Sequence, residues 1–139
     1  MLVVAPLLAM TACENTPQPA DIEESDMCSY CRMAISEKRY AAEAADIDGN
    51  VYKFDNPMCM ARFIAERGLK SRIAVYYIAG YDTRSWLDAR TAAYAKSPEI
   101  PSPMASGLAA FGDAVKARQF ATAHHGQTVG FEDLWTFAQ

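Results

Sequence analysis

The sequence predicts an α+β fold built from two small ββαβ units in tandem, and three observations carry that prediction. First, "RYAAEAADIDGNVYKF" holds two apolar-rich runs around Asp48-Gly49-Asn50, a hairpin signal. Second, "DNPMCMARFIAERG" and "FGDAVKARQFATAHHG" each open on a helix-capping residue and close on glycine. Third, a strand-like run follows each block. The blocks also match in spacing: Phe54 to Gly68 spans fourteen steps and Phe111 to Gly126 fifteen, each with Ala-Arg inside.

Taken in order, the first twelve residues, "MLVVAPLLAMTA", carry no charge and are nearly all apolar or small. They are shorter than the roughly 20 residues that span a bilayer, and Pro6 interrupts a helix through them. Residues 1–12 therefore read as the apolar part of a secretory signal ending just before Cys13. A cysteine directly after small residues is the lipid-acceptor position of a lipoprotein, so Cys13 is expected to be acylated. "ENTPQPADIEESD" follows, with two prolines, five acidic residues and little apolar content. Such a segment cannot bury enough surface to fold alone, so residues 13–27 are expected to form a disordered, lipid-anchored linker. The folded domain is expected over 28–139, with halves at about 28–80 and 81–139.

In the first half, Val51 and Lys53 alternate with Tyr52 and Phe54, the period of a half-buried strand. Asp55 or Asn56 can cap the helix, Pro57 suits its first position and Gly68 its end. "RIAVYYIAG" is rich in β-branched and aromatic residues and reads as a strand. In the second half, "SWLDARTAAYAKS" supplies two short strands or a hairpin, and "PEIPSPMASG" a long loop. Asp113 caps the second helix, Gly126 stops it, and "QTVGF" is a short strand.

Composition narrows the function. The 139 residues carry a net charge of −4 and no basic patch, which removes the electrostatic reason for a nucleic-acid partner. No GxSxG, HExxH or carboxylate cluster appears, so the chain shows no catalytic constellation. His124 and His125, the two histidines, fall in the last turn of the second helix, where cations complement the macrodipole.

The informative stretch is "SDMCSYCRMAIS". Cys28, Cys31 and Met33 lie within six positions, ahead of any strong strand or helix. If residues 31–35 are extended, Cys31 and Met33 share a side. With Cys13 assigned to lipid, three thiols remain in an oxidising compartment, and an odd number leaves one for chemistry. A redox disulfide, half a zinc site and a copper(I) site are the candidates. A redox pair wants a strand before it and a helix after it, and a structural zinc site wants four Cys or His ligands. Thiolate with thioether suits copper(I). Cys59 and Met60 pair with Phe63 and Ile64 at i,i+4 and read as core residues. Met104 lies between Pro103 and Gly107 in a loop, off any helix face, which makes it the better candidate for a further soft donor.

"CxxCxM" after a lipoprotein linker, "DGNVYKFDNPMCM", "SWLDARTAAYAKS" and "SPMASGLAAFGDAVKA", in this order, resemble NosL, the nitrous oxide reductase accessory lipoprotein family. Arg32 stands where many relatives have Gly, and "PMASG" where they often show "PMGxG". The resemblance implies a periplasmic copper(I) chaperone rather than an enzyme. It implies delivery to the maturing copper centres of nitrous oxide reductase, with a membrane ABC-type maturation complex as partner. Cys31 and Met33 of the "CxM" element and Met104 of the loop are the metal ligands it implies, with Cys28 beside them. The rival reading is a membrane-anchored thiol-disulfide protein using Cys28 and Cys31.

Overall fold

The strands of the computed structural model, which describes residues 16–139, pair into two antiparallel sheets. The first unit runs β1 (Ala42–Asp46), β2 (Val51–Phe54), α1 (Pro57–Glu66) and β3 (Ile73–Ala79). Then comes β4 (Trp86–Asp88). The second unit runs β5 (Ala93–Lys96), β6 (Leu108–Phe111), α2 (Ala114–Ala123) and β7 (Gln127–Val129), and α3 (Asp133–Phe137) closes the chain. Strand order is β2-β1-β3-β4 in one sheet and β6-β5-β7 in the other. In both, the first strand of the unit lies between its hairpin partner and the strand that follows the helix. The tandem ββαβ expectation is therefore met in topology as well as in element order.

The hairpin forms where expected, with Ala45 opposite Val51 and Ala42 opposite Phe54. Asp46 ties the turn: its carboxylate accepts from the backbone N–H of Asp48 and Asn50, from Asn50 Nδ2 and from Tyr52 Oη. Helix α1 starts on Asn56, whose side chain accepts from Cys59 N, with Pro57 in the first turn. It buries Met60, Phe63 and Ile64 against Phe54, Tyr76 and Ile78 of the first sheet. The rings of Phe54 and Phe63 meet edge-on at 5.3 Å between centroids.

In the second unit α2 covers Ala95, Ala109 and Phe111 with Ala117, Ala121 and the Phe120 ring. The opposite face of that sheet presents Tyr94, Leu108 and Ala110 to the core of the first unit, where they join Phe131 and Leu134. One core thus runs through both halves. Gly126 follows the helix as expected, but the left-handed residue there is His125, at φ 52°. Gly126 is required for another reason: a Cβ on it would lie 2.3 Å from the Lys96 carbonyl oxygen.

Two boundaries differ from the sequence reading. "SWLDARTAAYAKS" gives two strands, but they enter different sheets. Trp86–Asp88 pairs with Tyr77–Ala79, so the first unit reaches beyond residue 80. A turn built on Asp88, whose carbonyl oxygen accepts from Thr91 and Ala92, sends the chain to the second sheet.

The linker differs more. From Thr16 onward it lies on the face of the first sheet opposite α1. Glu43, Lys53 and Tyr77 share that face through their cross-strand register, and each holds the segment. Ala20 N donates to both Glu43 carboxylate oxygens, at 3.0 and 3.2 Å. Lys53 Nζ donates to Asp21 O at 2.7 Å and Asp26 Oδ2 at 2.6 Å, and Tyr77 Oη to Pro17 O at 2.6 Å. Ile22 is buried, and Glu43 is left only 1% exposed. The segment lacks a core of its own, yet it serves as the missing cover of a strand buried on both faces. Cys13 and the signal-like run lie outside the described residues.

Candidate metal centre

The Cys28–Met33 stretch is closed by its own backbone. Cys28 N donates to Met33 O at 2.8 Å, Arg32 N to Cys28 O at 3.0 Å, and Met27 bridges Ala34. Ser29 N donates to Lys53 O at 2.8 Å, which fastens the turn to β2. The turn needs a left-handed residue, and Arg32 supplies it at φ 65°. That conformation costs an L-residue about 1–2 kcal/mol, so a side chain is carried where glycine would be strain-free. The turn buries Cys28, half-buries Cys31 and leaves Met33 57% exposed.

The second wall is the start of α1. Asn56 is fully buried and works three ways. Its Oδ1 accepts from Cys59 N at 3.0 Å, while its Nδ2 donates to Asp55 Oδ1 at 2.8 Å and to Cys59 Sγ at 3.4 Å. The Cys31 thiol donates to Asp55 Oδ2 at 3.5 Å. The Sγ atoms of Cys28, Cys31 and Cys59 and a carboxylate oxygen of Asp55 all lie within 4.8 Å of one another. All three cysteines are free.

Burial alone would push all three thiols up. For Cys28 it is outweighed by hydrogen bonding with the Cys59 thiol and by backbone N–H groups of Asp55, Cys31 and Tyr30, which hold it down at about 6. Cys59 is pushed strongly up by the same hydrogen bond, then by burial. Cys31 is raised, chiefly by burial. Of the three thiols, Cys28 is therefore the one that ionises first. Sulfur-rich donors of this kind suit soft or borderline cations.

The loop of the second unit reaches the same place. Pro103–Ala105 forms a short helical turn in which Met104 and Ala105 are left-handed, at φ 54° and 50°. Here, too, a residue other than glycine holds the position after Met104. Ser102 Oγ accepts from Gly107 N at 2.7 Å and lies 2.9 Å from Ser106 Oγ, and Lys96 Nζ donates to Ser106 O at 3.0 Å. Met104, 54% exposed, lines two clefts. One, about 250 Å³, is shared with Met33, Ala34 and Asp55; the other, about 240 Å³, with Asn56, Cys59, Arg62 and Lys96.

Of the residues singled out from sequence, Cys28 and Cys31 are brought together, and Met33 and Met104 share a cleft that meets the cluster at Asp55. Cys59 is buried as expected, but its sulfur also belongs to the cluster. Asp55 was expected only as a cap. The signal for both was "DNPMC": a capped helix start sets a carboxyl group just before the cap and a cysteine in the first turn, two donor side chains close along the chain. Met60 is a core residue, fully buried. The histidines lie elsewhere, His124 Nδ1 at 2.8 Å from Phe120 O and His125 Nδ1 at 2.9 Å from Glu99 Oε2.

The sequence matches the NosL family model over residues 19–136. No curated protein matches it. Among solved structures, the fold is similar to the crystal structure of the copper chaperone NosL from Shewanella denitrificans. The TM-score is 0.76 at 17% sequence identity, covering 84% of this chain and 94% of that one. With the family model spanning nearly all of the described residues, the docked linker included, the chain belongs to the NosL family.

Proposed function

We propose that this protein is a metallochaperone that binds copper(I) and hands it on, with no reaction of its own. One observation carries the reading: three cysteine sulfurs and the Asp55 carboxyl group converge at the start of α1, and two exposed thioethers share a cleft with Asp55. Cys28, Cys31 and Cys59 are the thiol donors, and Met33 and Met104 the donors for capture and release. The name of the similar Shewanella protein supports copper as the cargo.

Chelator competition with the reduced protein tests this. Wild type withdraws copper(I) from a chromogenic chelator. Cys28→Ser and Cys31→Ser each weaken binding at least tenfold, roughly 1.4 kcal/mol. Met33→Ala and Met104→Ala weaken it less and leave apo melting unchanged. Equal affinity in wild type and Cys31→Ser would sink the assignment.

Zinc is the second reading, because three cysteines and Asp55 make up a complete set of four zinc-type ligands. It predicts that zinc displaces copper(I) and that Asp55→Asn costs as much affinity as a cysteine change. The thiol-disulfide reading, with Cys28 and Cys31 as the pair, predicts turnover with a dithiol substrate instead.

The delivery target in this proposal is nitrous oxide reductase with its membrane ABC-type maturation complex, and the site of action is the periplasm. No helix among the described residues is long and apolar enough to cross a membrane, and acylation of Cys13 would supply the attachment. Mass spectrometry of membrane-extracted protein checks it: an unmodified Cys13 removes the anchor.

A further inference from the structure

We infer that the cleft between α1 and the second unit admits copper(I) as an anionic complex of a small carboxylate-bearing thiol, whose carboxylates Arg62 and Lys96 recognise. The inference rests on the copper reading above and goes on to the form in which the metal arrives.

The cleft holds about 240 Å³, below the roughly 300–1,000 Å³ of sites for drug-sized ligands, so it takes a carboxylate-bearing arm of the carrier while the rest of the complex stays in solvent. Cys59, itself nearly buried, lines the inner edge of the cleft and belongs to the thiol cluster, and Met104 and Phe137 bound it. Arg62 and Lys96 line it, and no acidic side chain does. In a chain of net charge −4, such a surface is unusual. Among the described residues neither cation has an ion-pair partner. Lys96 spends one donor on Ser106 O and its ammonium has three. Arg62 comes from the half-exposed flank of α1, and a guanidinium brings five donors in a fork that matches a carboxylate.

The other approach is different. There Met33 and Met104 are accompanied by Asp55 and Glu37, both acidic. The loop carrying Met104 borders both clefts, a basic one that reaches the cluster at Cys59 and an acidic one that reaches it at Asp55. A bare cation is repelled at the basic cleft and an anion is drawn in. A soft cation held by two thiolates whose carriers also bear carboxylates is an anion. Once seated, transfer is ligand exchange without oxidation or reduction. A protein sulfur forms its bond to the metal, the carrier's sulfur–metal bond breaks, and the proton of the incoming thiol leaves on the departing carrier thiol.

The test measures copper(I) transfer to reduced apo protein by stopped flow, from the glutathione complex and from the complex of mercaptoethanol, a thiol without carboxylates. Arg62→Gln and Lys96→Gln are made singly and together, with folding checked by apo melting. Because Lys96 also holds Ser106, Arg62→Gln alone is the decisive variant should the other loosen the loop. We expect the double variant to slow transfer from the glutathione complex about tenfold at low ionic strength. The gap to wild type closes in high salt, and transfer from the mercaptoethanol complex is unchanged. Equal slowing from both carriers, or no slowing from either, overturns the inference while leaving the copper reading intact. If wild type takes copper(I) from neither, the copper reading itself has failed.

Discussion

Cys28 is the residue on which the chemistry of the cluster turns. Its thiol is held down at about 6, against an ordinary value of 9.0, by hydrogen bonding with Cys59 and by three backbone N–H groups. An acid whose value is depressed on folding contributes stability that is complete above 9.0 and lost as pH falls through about 6. Cys59 is raised, so its contribution is complete below 9.0 and lost as pH rises beyond it. The pair therefore makes apo stability climb from about pH 6 to about pH 9 and decline above. Apo melting across that range, with thiolate absorbance followed in parallel, checks this. In Cys28→Ser both the climb and the thiolate signal near neutral pH should vanish. A wild-type curve with the same slope as the variant would contradict the assignment. Cys28 and Cys31 were legible as a pair because a two-residue spacing is local. That Cys59 completes the set was not, because its partner in the turn lies on the far side of a hairpin.

At the scale of elements, the start of α1 is where stability and site meet. Asn56 caps the helix and also supplies the donor that Asp55 and Cys59 share. Asn56→Ala removes the cap, worth about 1 kcal/mol, and leaves a buried carboxylate oxygen without its donor, at a cost of about 1–3 kcal/mol. We expect a loss of roughly 2–4 kcal/mol in urea unfolding, together with weaker metal binding. Asn56→Asp keeps the capping oxygen but replaces the donor with a second buried carboxyl group against Asp55, so it should recover none of the loss. If Asn56→Ala unfolds at the wild-type midpoint, the cap is not what holds the site. The helices, the hairpin and the long strand β3 were readable because caps, turn residues and alternation are local signals. α3 was not, because its five residues are too short for a helical period to register.

For the whole molecule, the linker decides how the protein ends. Residues 16–27 complete the first sheet and lead without a break into the Cys28 turn, and Ile35 N donates back to Asp26 O at 3.0 Å. A chain beginning at Glu23 should therefore be less stable than one beginning at Thr16. The loss of buried Ile22 costs about 2 kcal/mol, and the hydrogen bonds that Glu43, Lys53 and Tyr77 make to the removed residues, which water replaces, cost about 0.5–1.5 kcal/mol each. Urea denaturation of the two chains measures it, and amide exchange in β1 should rise in the shorter one. Equal midpoints would mean the segment merely rests on the sheet.

Periodicity, capping residues and turn dipeptides act within a few residues, so the sequence by itself determined the α+β class, the two ββαβ units and the sulfur-rich turn. Three matters were decided only when distant segments met. Trp86–Asp88 joined the first sheet because β3 had an edge to pair. The polar linker docked because Glu43, Lys53 and Tyr77 were aligned on one face by strand register. Cys59 and Asp55 became part of the cluster because the end of β2 delivers the start of α1 beside a turn more than twenty residues earlier in the chain. A donor set is a matter of distance in space, and spacing along a chain encodes it only where the backbone between the donors is short.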